Sequence, residues 1–343
     1  MRQKTYKNKY INLTGRTNRK IYLNIIKFDN KGEYMNSIKI VANGMYLPKI
    51  KIGNEYFNKK FNLDDEWIYK RTGILWRYKI EDESIIDLAI NATNDMIEKY
   101  DVDVNNIQAI IVATTSTQNF MPGISFYVQK YFNIQKCMCL DVLGGCNGYI
   151  NAFDIARNYI ALGKIDNALV IGVETISKFI NEDDINTAIL LGDGAGATLI
   201  EKSKNEKLYK SNICSDPTES EILKVTSNEK LYMDGKKIYK FAITKTVQNI
   251  NELLQRENKS IENIDYIVPH QSNARILNKM ASELKIEKSK MYSNLQNVGN
   301  TFCASIPIAL TQMFDENILK ENDKIVLIGY GGGLNWGSIL LEI

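Results

Sequence analysis

The feature that most constrains the fold of this chain is an internal duplication. The stretch Asn106–Val112 (NIQAIIV) resembles Asn263–Val268 (NIDYIV), and Ala168–Gly172 (ALVIG) resembles Ile325–Gly329 (IVLIG). In both cases the two copies lie 157 positions apart, from 106 to 263 and from 171 to 328. Each stretch has the length and the apolar character of a buried strand. Two strand pairs with one common offset predict a chain built from two similar halves.

The helical segments follow the same duplication. The amphipathic stretch 85–99 has its counterpart in residues 241–254, so strands alternate with helices in both halves. This alternation predicts an α/β fold in which each half forms a mostly parallel sheet with right-handed crossovers. We place the first half at residues 35–205 and the second half at residues 206–343.

A Gly-Gly-Cys turn stands at the centre of the first half. The apolar run Cys139–Leu143 predicts a short buried strand, and after Gly144 and Gly145 the apolar spacing becomes helical from Cys146 to Leu162. The unpaired amides at a helix N-terminus stabilise an anion, so we expect a lowered thiol pKa and a nucleophilic Cys146. The alternative is a small buried cysteine that only fills a gap.

The second half supplies polar residues at the ends of its predicted strands. His270 follows the strand that ends at Pro269, Asn300 precedes a helix predicted for residues 304–314, and Gly331–Gly333 follow another strand. Ligands of α/β sheets bind outside the carboxyl ends of the strands, so these residues are expected to converge with Cys146. A structural histidine remains the alternative for His270.

Composition excludes several classes of protein. The chain has 343 residues, of which 44% are hydrophobic, and its five cysteines show no paired spacing. A reduced cytosolic protein is therefore expected rather than a disulfide framework. A single histidine argues against a zinc site. No apolar run approaches the length of a membrane span.

The N-terminal residues 1–34 differ from the rest. They carry nine Lys and Arg against two acidic residues, a net charge of +7, so the overall charge of +3 leaves −4 for the remainder. The remainder shows no basic stripe for nucleic acid. We expect residues 1–34 to be a disordered arm or to precede the natural start at Met35, and a functional tail is the alternative. Residues Tyr22–Phe28 could form one short strand.

Two further motifs have a structural and a functional interpretation. The glycines of Gly192–Thr198 lack the lysine and the spacing of a phosphate loop, so they are expected to allow close packing between strands. Trp67 and Arg71 lie four residues apart on one face of a short predicted helix. They could stack on a base and contact a phosphate, or form a core Trp beside a solvated Arg.

From Met35 onward the chain resembles the β-ketoacyl-acyl-carrier-protein synthase III family of thiolase-fold condensing enzymes. Seven stretches carry the resemblance in the right order: Asp65–Ile68 with Arg71–Ile74, Val112–Ser116, Gly145–Tyr149, Gly192–Ala197, Pro269–Ile276, Gly299–Thr301 with Ala304–Pro307, and Gly331–Gly333 through Trp336–Ser338. The resemblance implies a five-layer αβαβα thiolase-like fold, a cytoplasmic homodimer and no cofactor beyond the thioester substrates.

The resemblance also implies a mechanism. Cys146 would take an acyl group from an acyl thioester primer, and a malonyl thioester would then lose carbon dioxide and attack it. His270 and Asn300 would bind the malonyl thioester oxygen, while the backbone amides of Cys146 and Gly332 would form the oxyanion hole. The product would be a 3-oxoacyl-acyl-carrier protein, at the start of fatty-acid synthesis.

Further residues are implied to bind the thioester carrier or the primer. Trp67, Arg71, Lys236 and Asn273 match the carrier site, Arg275 matches an arginine that contacts acyl-carrier protein, and Met121 matches a residue of the primer pocket. Two positions depart from the pattern for coenzyme A: Ile185 replaces an expected arginine and Lys236 replaces an asparagine.

Two other functions remain open, and two related activities are disfavoured by single residues. The altered carrier site leaves room for a condensing or acyl-transfer enzyme of a specialised polyketide or secondary-metabolite pathway. A non-catalytic partner subunit is a further alternative, although such subunits usually lose the nucleophile that this chain retains. Tyr330 stands where biosynthetic thiolases carry a second cysteine, and one histidine is too few for the elongating synthases.

Overall fold

A computed structural model describes residues 37–343 of the chain, except residues 118–120 and 227–228, and the structural statements below concern these residues. The predictions for residues 1–34, including the strand Tyr22–Phe28, lie outside the described residues. The predicted boundary between residues 205 and 206 stays a prediction. It falls between two strands of one compact unit.

The strands, in chain order, are β1 Ile38–Tyr46, β2 Ile50–Gly53, β3 Trp76–Lys79, β4 Ala109–Ala113, β5 Met138–Val142, β6 Asn167–Glu174, β7 Gly194–Lys202, β8 Tyr209–Ser215, β9 Leu223–Thr226, β10 Glu229–Met233, β11 Tyr266–Pro269, β12 Lys324–Gly331 and β13 Asn335–Glu342. The helices are α1 Asn54–Phe61, α2 Asp65–Thr72, α3 Ile85–Tyr100, α4 Ile124–Tyr131, α5 Gly148–Ala161, α6 Ile185–Ala188, α7 Gly235–Arg256, α8 Ala274–Leu284, α9 Leu295–Val298 and α10 Ser305–Asp315. Short 3₁₀ turns, Gly145–Asn147 and Phe302–Ala304, precede α5 and α10.

Two sheets with matching topology form the centre of the molecule. The first has the order β1-β7-β6-β4-β5 and the second has the order β11-β12-β13-β8. By position in the sheet, β11, β12, β13 and β8 correspond to β4, β6, β7 and β1, and the first two of these pairs keep the offset of 157 residues. The sheets are mixed, because β4 pairs in parallel with β5 and β6 but β7 runs antiparallel to both of its neighbours. The prediction of mostly parallel sheets is therefore wrong. The short connection between β12 and β13 can only join antiparallel strands.

The layers follow from the alternation of side chains along each strand. In β4, Ala109, Ile111 and Ala113 pack with α5 and α10, while Ile110 and Val112 pack on the opposite face with α3 and α4. The second sheet contacts the same central helices with one face and α7 and α8 with the other. The layers are thus α3/α4, sheet, α5/α10, sheet and α7/α8, and the predicted five-layer αβαβα fold is confirmed.

The glycines before and within β7 serve this layering. A Cβ atom added at Gly196 would lie 2.7 Å from the backbone nitrogen of Ile308 in α10, and one at Gly172 would lie 2.8 Å from the carbonyl oxygen of Cys303. The predicted close packing is real. At Gly196 of β7 and Gly172 of β6 the partner is the central helix α10 and its preceding turn, whereas a Cβ atom at Gly192 would lie 3.1 Å from the carbonyl oxygen of Tyr78 in strand β3. In the described part of the chain, the helices lack the combined length and apolarity that crossing a membrane requires.

Candidate active site

A cavity of about 750 Å³ lies where the two halves meet. Cys146, which follows β5, and His270 and Asn300 of the second half all line it. The three residues lie far apart in the sequence, so the convergence predicted from the strand ends is what the structure shows. Much of the remaining wall is apolar, including Leu190, Leu191, Leu223, Phe241 and Phe302.

The turn that carries Cys146 is held against the end of β12. Gly145 adopts a φ of 55°, a left-handed conformation that favours glycine. A Cβ atom at Gly331 would lie 2.7 Å from the backbone nitrogen of Cys146, and one at Gly145 would lie 3.3 Å from the backbone nitrogen of Gly332. The two segments therefore touch backbone to backbone, which brings the amides of Cys146 and Gly332 into one neighbourhood.

The protonation of Cys146 differs from the expectation. Burial raises the pKa of the Cys146 thiol, the Glu174 carboxyl group raises it further, and only the backbone amide of Cys146 acts in the opposite direction. The expected lowering of this pKa is therefore wrong for the free enzyme. A helix terminus contributes about 0.3–1 kcal/mol, whereas removing a thiolate from water costs several kcal/mol.

His270 is a neutral base in this structure. Burial lowers the pKa of His270 to about 3, and a hydrogen bond with the backbone of Phe302 acts in the opposite direction. Its Nδ1 lies 2.7 Å from Oγ of Ser305, at the start of α10, and the same oxygen accepts a hydrogen bond from the backbone N–H of Gln271 at 3.3 Å. Ser305 thus fixes the ring, and the alternative of a merely structural histidine does not account for its place in the cavity wall.

Asn300 is oriented by the turn that follows it. Its Oδ1 accepts a hydrogen bond from the backbone N–H of Phe302 at 3.0 Å, which leaves the amide nitrogen available to donate. Its own backbone N–H donates to Leu190 at 3.0 Å, and its carbonyl accepts from the N–H of Gly192 at 2.9 Å. Asn300 is therefore anchored to the segment 189–192 as well as to its own turn.

A buried arginine supports that segment. Arg77 is inaccessible to solvent, and its guanidinium donates to the carbonyl of Ile189 and, at 2.8 Å, to Oδ1 of Asn54. The guanidinium also lies 4.6 Å from the ring centroid of Phe57. Burial lowers the pKa of Arg77 to about 10, so the group keeps its charge at neutral pH. Arg77 thereby fixes the loop to which Asn300 is bonded.

The residues predicted to bind the carrier lie together at the same cavity. Trp67, Arg71, Lys236, Asn273 and Arg275 all line it. The Arg71 guanidinium lies over the Trp67 ring at 4.7 Å, so the two side chains share one face of α2 as their spacing predicts. Three of these residues, Arg71, Lys236 and Arg275, place positive charge along the cavity wall.

Asn273 has a structural role beside any role in binding. Its Oδ1 accepts from the backbone N–H of Arg275 at 2.9 Å and caps α8, while its Nδ2 donates to the carbonyl of Arg71 at 3.1 Å. Asn273 therefore joins α2 to α8. Ile185, which stands where the resemblance leads us to expect an arginine, also lines the cavity.

Two predicted residues are placed differently. Met121 is 89% exposed and does not line the cavity, because it precedes α4 on the outer layer of the first half. The prediction that Met121 bounds the primer pocket is therefore wrong within a single chain. Gly332 lies beside the turn of Cys146, as described above, but only its neighbour Gly331 lines the cavity.

Several residues of the site were not singled out from the sequence. Glu174 ends the otherwise apolar strand β6 and accepts hydrogen bonds from the backbone N–H groups of Thr115 and Ser116 at 3.0 Å each. An acidic residue at the end of a buried strand was a signal that could have been read. Ser305 and Ser272 gave no comparable signal, because their hydrogen-bond partners come from other elements. Tyr330 was noted only as the residue in place of a second thiolase cysteine, and its bond to Ser272 was not foreseen. In the described part of the chain, no group of three or more His, Cys, Asp and Glu could hold a metal ion.

Comparison with known proteins gives a consistent result. The family model described as 3-oxoacyl-[acyl-carrier-protein] synthase III matches residues 140–217, and the model of its C-terminal part matches residues 254–343. The β-ketoacyl-[acyl-carrier-protein] synthase III of Clostridium novyi (strain NT) is 38% identical over 305 residues, which cover 85% of this chain and 94% of that protein.

A second relative and a solved structure agree. The β-ketoacyl-[acyl-carrier-protein] synthase III of Clostridium perfringens (strain ATCC 13124) is 37% identical over 307 residues, covering 85% of this chain and 95% of that protein. The crystal structure of 3-oxoacyl-[acyl-carrier-protein] synthase III from Aquifex aeolicus VF5 superposes with a TM-score of 0.87 at 33% identity. It covers 90% of this chain and 100% of that chain.

Proposed function

We propose, because the chain belongs to the β-ketoacyl-[acyl-carrier-protein] synthase III family, that it condenses an acyl thioester primer with malonyl-acyl-carrier protein. The products would be a 3-oxoacyl-acyl-carrier protein and carbon dioxide, at the start of fatty-acid biosynthesis. The observation that carries this proposal is the convergence of Cys146, His270 and Asn300 in the wall of one cavity. The same convergence argues against a non-catalytic subunit.

The first half-reaction is the transfer of the primer to Cys146. The Cys146 sulfur attacks the carbonyl of the primer thioester, and the bond between that carbonyl and the carrier sulfur breaks to give the acyl-enzyme. The carrier leaves as a free thiol, which takes up the proton that Cys146 has lost. The developing oxyanion accepts hydrogen bonds from the backbone amides of Cys146 and Gly332, which the contact between their turns brings together. Each preorganised donor of an oxyanion hole typically contributes a factor of about 10²–10³ to the rate.

The second half-reaction is the decarboxylation of the malonyl group. Nε2 of neutral His270 and Nδ2 of Asn300 donate to the thioester oxygen, where enolate charge develops as carbon dioxide leaves. If the Ser305 hydroxyl donates to Nδ1, the proton of the imidazole resides on Nε2 and points to the substrate. The enolate carbon then attacks the acyl group on Cys146 and releases the thiolate.

The carrier would be bound along the cationic wall. Arg71, Lys236 and Arg275 offer positive charge to a phosphate or to an acidic carrier protein, and Trp67 and Asn273 flank them. The acyl-carrier protein is the proposed partner, with coenzyme A or acyl-carrier protein carrying the primer. The chemistry requires no metal ion or redox cofactor, and we propose a cytoplasmic location because all five cysteines are free.

We further propose that the chain forms a homodimer through the edge of the first sheet. β5 is the outermost strand of that sheet, and the adjacent Leu143 is 74% exposed. On the neighbouring α4, Phe126 and Tyr131 are 50% and 59% exposed. An open strand edge beside exposed apolar side chains favours pairing with a second copy. Sedimentation equilibrium is the test, and a monomer at all concentrations would refute this part of the proposal.

Intact-protein mass spectrometry tests the proposed function. The protein is incubated with acetyl-CoA and with a panel of longer acyl-CoA and acyl-carrier-protein thioesters, and Cys146→Ala is the control. We expect a small acyl adduct on the native chain and none on the variant. Subsequent addition of malonyl-acyl-carrier protein should remove the adduct and yield a 3-oxoacyl product. An adduct that malonyl-acyl-carrier protein leaves in place would contradict the condensing activity.

The pattern of labelling also separates the remaining alternative. The names of the relatives support the priming of fatty-acid synthesis over a specialised pathway. The alternative of a specialised pathway rests on Ile185 and Lys236, which line the cavity and depart from the pattern for coenzyme A. Labelling by acetyl-CoA favours the proposed role, whereas labelling only by unusual acyl groups would favour a specialised pathway.

A further inference from the structure

Two hydroxyl groups are bonded to each other in the wall of the catalytic cavity. Oγ of Ser272 and the phenol oxygen of Tyr330 lie 2.5 Å apart, and both residues line the cavity. Ser272 comes two residues after His270 and its backbone N–H donates to the His270 carbonyl at 3.1 Å. The Tyr330 ring packs edge to face against the His270 ring, with 5.2 Å between the centroids. We call Ser272 and Tyr330 the hydroxyl pair.

The hydroxyl pair has one hydrogen to spare. Two hydroxyl groups carry two hydrogens, and their mutual hydrogen bond uses only one of them. In the part of the chain that the structure describes, neither oxygen has a second hydrogen-bond partner. Ser272 is 9% exposed and Tyr330 is 2% exposed, so this spare O–H group is nearly removed from bulk water. A buried donor without a partner is costly, and a substrate atom would offset that cost.

The chemistry of the proposed reaction indicates which substrate atom accepts the hydrogen bond from the spare O–H group. This inference rests on the proposed function. Of the two substrates, only the malonyl thioester carries a carboxylate. That carboxylate is bonded to the carbon next to the carbonyl that His270 and Asn300 would hold. The hydroxyl pair touches His270 and lies within the same cavity. Apolar wall residues such as Leu190 and Phe302 offer the carboxylate no donor. The cations of the same cavity, Arg71, Lys236 and Arg275, are assigned to the carrier in the proposed function.

We propose that the hydroxyl pair is a binding subsite for the malonyl carboxylate, which accepts a hydrogen bond from the spare O–H group. Burial raises the pKa of Tyr330, so its phenol stays protonated and able to donate at neutral pH. When the C–C bond breaks, its electron pair stays on the malonyl carbon as the enolate, and the carboxylate leaves as neutral carbon dioxide. No proton moves to or from the hydroxyl pair, which loses a charged partner as the product forms.

The hydrogen bond between the hydroxyl pair and the malonyl carboxylate is strongest before decarboxylation. It therefore contributes to substrate binding more than to the chemical step. Loss of a hydrogen bond to a charged group weakens binding by about 10-fold or more. We expect the double variant Ser272→Ala/Tyr330→Phe to raise KM for malonyl-acyl-carrier protein about 10-fold, with kcat unchanged or increased. Removing both partners together leaves no unsatisfied hydroxyl, so the double variant should fold.

The experiment compares the two half-reactions. Acylation of Cys146 by the primer involves no carboxylate, and the double variant should carry it out at the native rate. The matched control is Tyr149→Phe, which removes another buried tyrosine hydroxyl, bonded to Thr198 at 2.8 Å and not lining the cavity. It should leave both half-reactions unchanged.

Three outcomes decide the matter. An unchanged KM for malonyl-acyl-carrier protein in the double variant would overturn the subsite. Equal reductions in the rates of acylation and condensation would also overturn the subsite. The hydroxyl pair would then act on a part of the substrate that both thioesters share. If the native protein itself does not consume malonyl-acyl-carrier protein, the proposed function fails, and that failure is visible before any variant is made.

Discussion

The two turns that precede the central helices make an instructive pair. Gly145–Asn147 leads into α5 and Phe302–Ala304 leads into α10, and the two turns lie 157 positions apart, the offset of the duplication. Their first residues, Gly145 and Phe302, have φ angles of 55° and 50°. Their central residues are both buried cysteines, Cys146 and Cys303. The duplicated fold therefore built the same cysteine turn twice.

The difference lies in what covers each cysteine. At the end of β12, Gly331 has no side chain, and Cys146 lines the cavity. At the matching position of β6 stands Glu174, whose Oε1 accepts a hydrogen bond from the Cys303 thiol at 3.0 Å. The carbonyl of Ala113, which corresponds to His270, lies 3.2 Å from the same sulfur. Cys146 lines the cavity, whereas the Cys303 thiol is hydrogen-bonded within the core, so the two similar turns place their cysteines in different environments.

The most severe test of this comparison is to remove each cysteine in turn. Cys146→Ala should abolish the acyl-enzyme and lower condensation by ~10³-fold or more, because the nucleophile is lost. Cys303→Ala should form the adduct at close to the native rate. Intact-protein mass spectrometry with one acyl thioester measures both, and an adduct lost in both variants would contradict the division of roles.

The next test adds one methyl group beside the reactive turn. Gly331→Ala should lower both half-reactions by about 10²-fold, because the new Cβ would displace the Cys146 amide from the proposed oxyanion hole. Gly163→Ala is the control for backbone strain, because Gly163 does not line the cavity and an added Cβ there meets nothing within 4 Å. Its φ of 65° strains an alanine, so this variant should lose stability but keep the native rate per folded molecule. Steady-state kinetics with a thermal melt separates catalysis from folding. Native activity in Gly331→Ala would mean that the Cys146 turn can shift to make room for the new Cβ atom without loss of rate.

The third test uses pH to distinguish Cys146 from His270. Because burial raises the thiol pKa, the rate of Cys146 acylation should rise from about pH 6 to about pH 9 without a plateau. His270, whose pKa is lowered to about 3, is already neutral throughout that range and is protonated only in strong acid. Decarboxylation by pre-acylated enzyme should therefore be flat between about pH 5.5 and about pH 8. A titration near the ordinary pKa of histidine in that step would argue against a neutral His270.

The smallest effect is expected for the stability of the second turn. Cys303→Ala removes the thiol that donates to Glu174 and leaves a small void, so the free energy of unfolding should fall by about 1–3 kcal/mol. Cys214→Ala is the control, since Cys214 is only partly buried and its sulfur makes weaker contacts, at 3.8 and 3.9 Å. Urea denaturation of both variants gives the difference. Equal stabilities would show that the bond to Glu174 contributes nothing net.

The sequence by itself determined the duplicated α/β fold, the elements around Cys146 and the set Cys146, His270 and Asn300. These features are local or periodic: strand and helix periods, glycine turns and one repeated offset follow from the order of residues. The same offset leads from Cys146 to Cys303, so that relation too was available in the sequence.

What only the tertiary structure decided was the environment of each group. The raised pKa of Cys146, the bond between Ser272 and Tyr330, the buried Arg77 behind Asn300 and the exposure of Met121 depend on contacts between residues distant in the chain. The mixed direction of the sheets is also a matter of how strands pair in space. Burial and long-range hydrogen bonds act on protonation and reactivity more strongly than a helix terminus does, and no local pattern of residues encodes them.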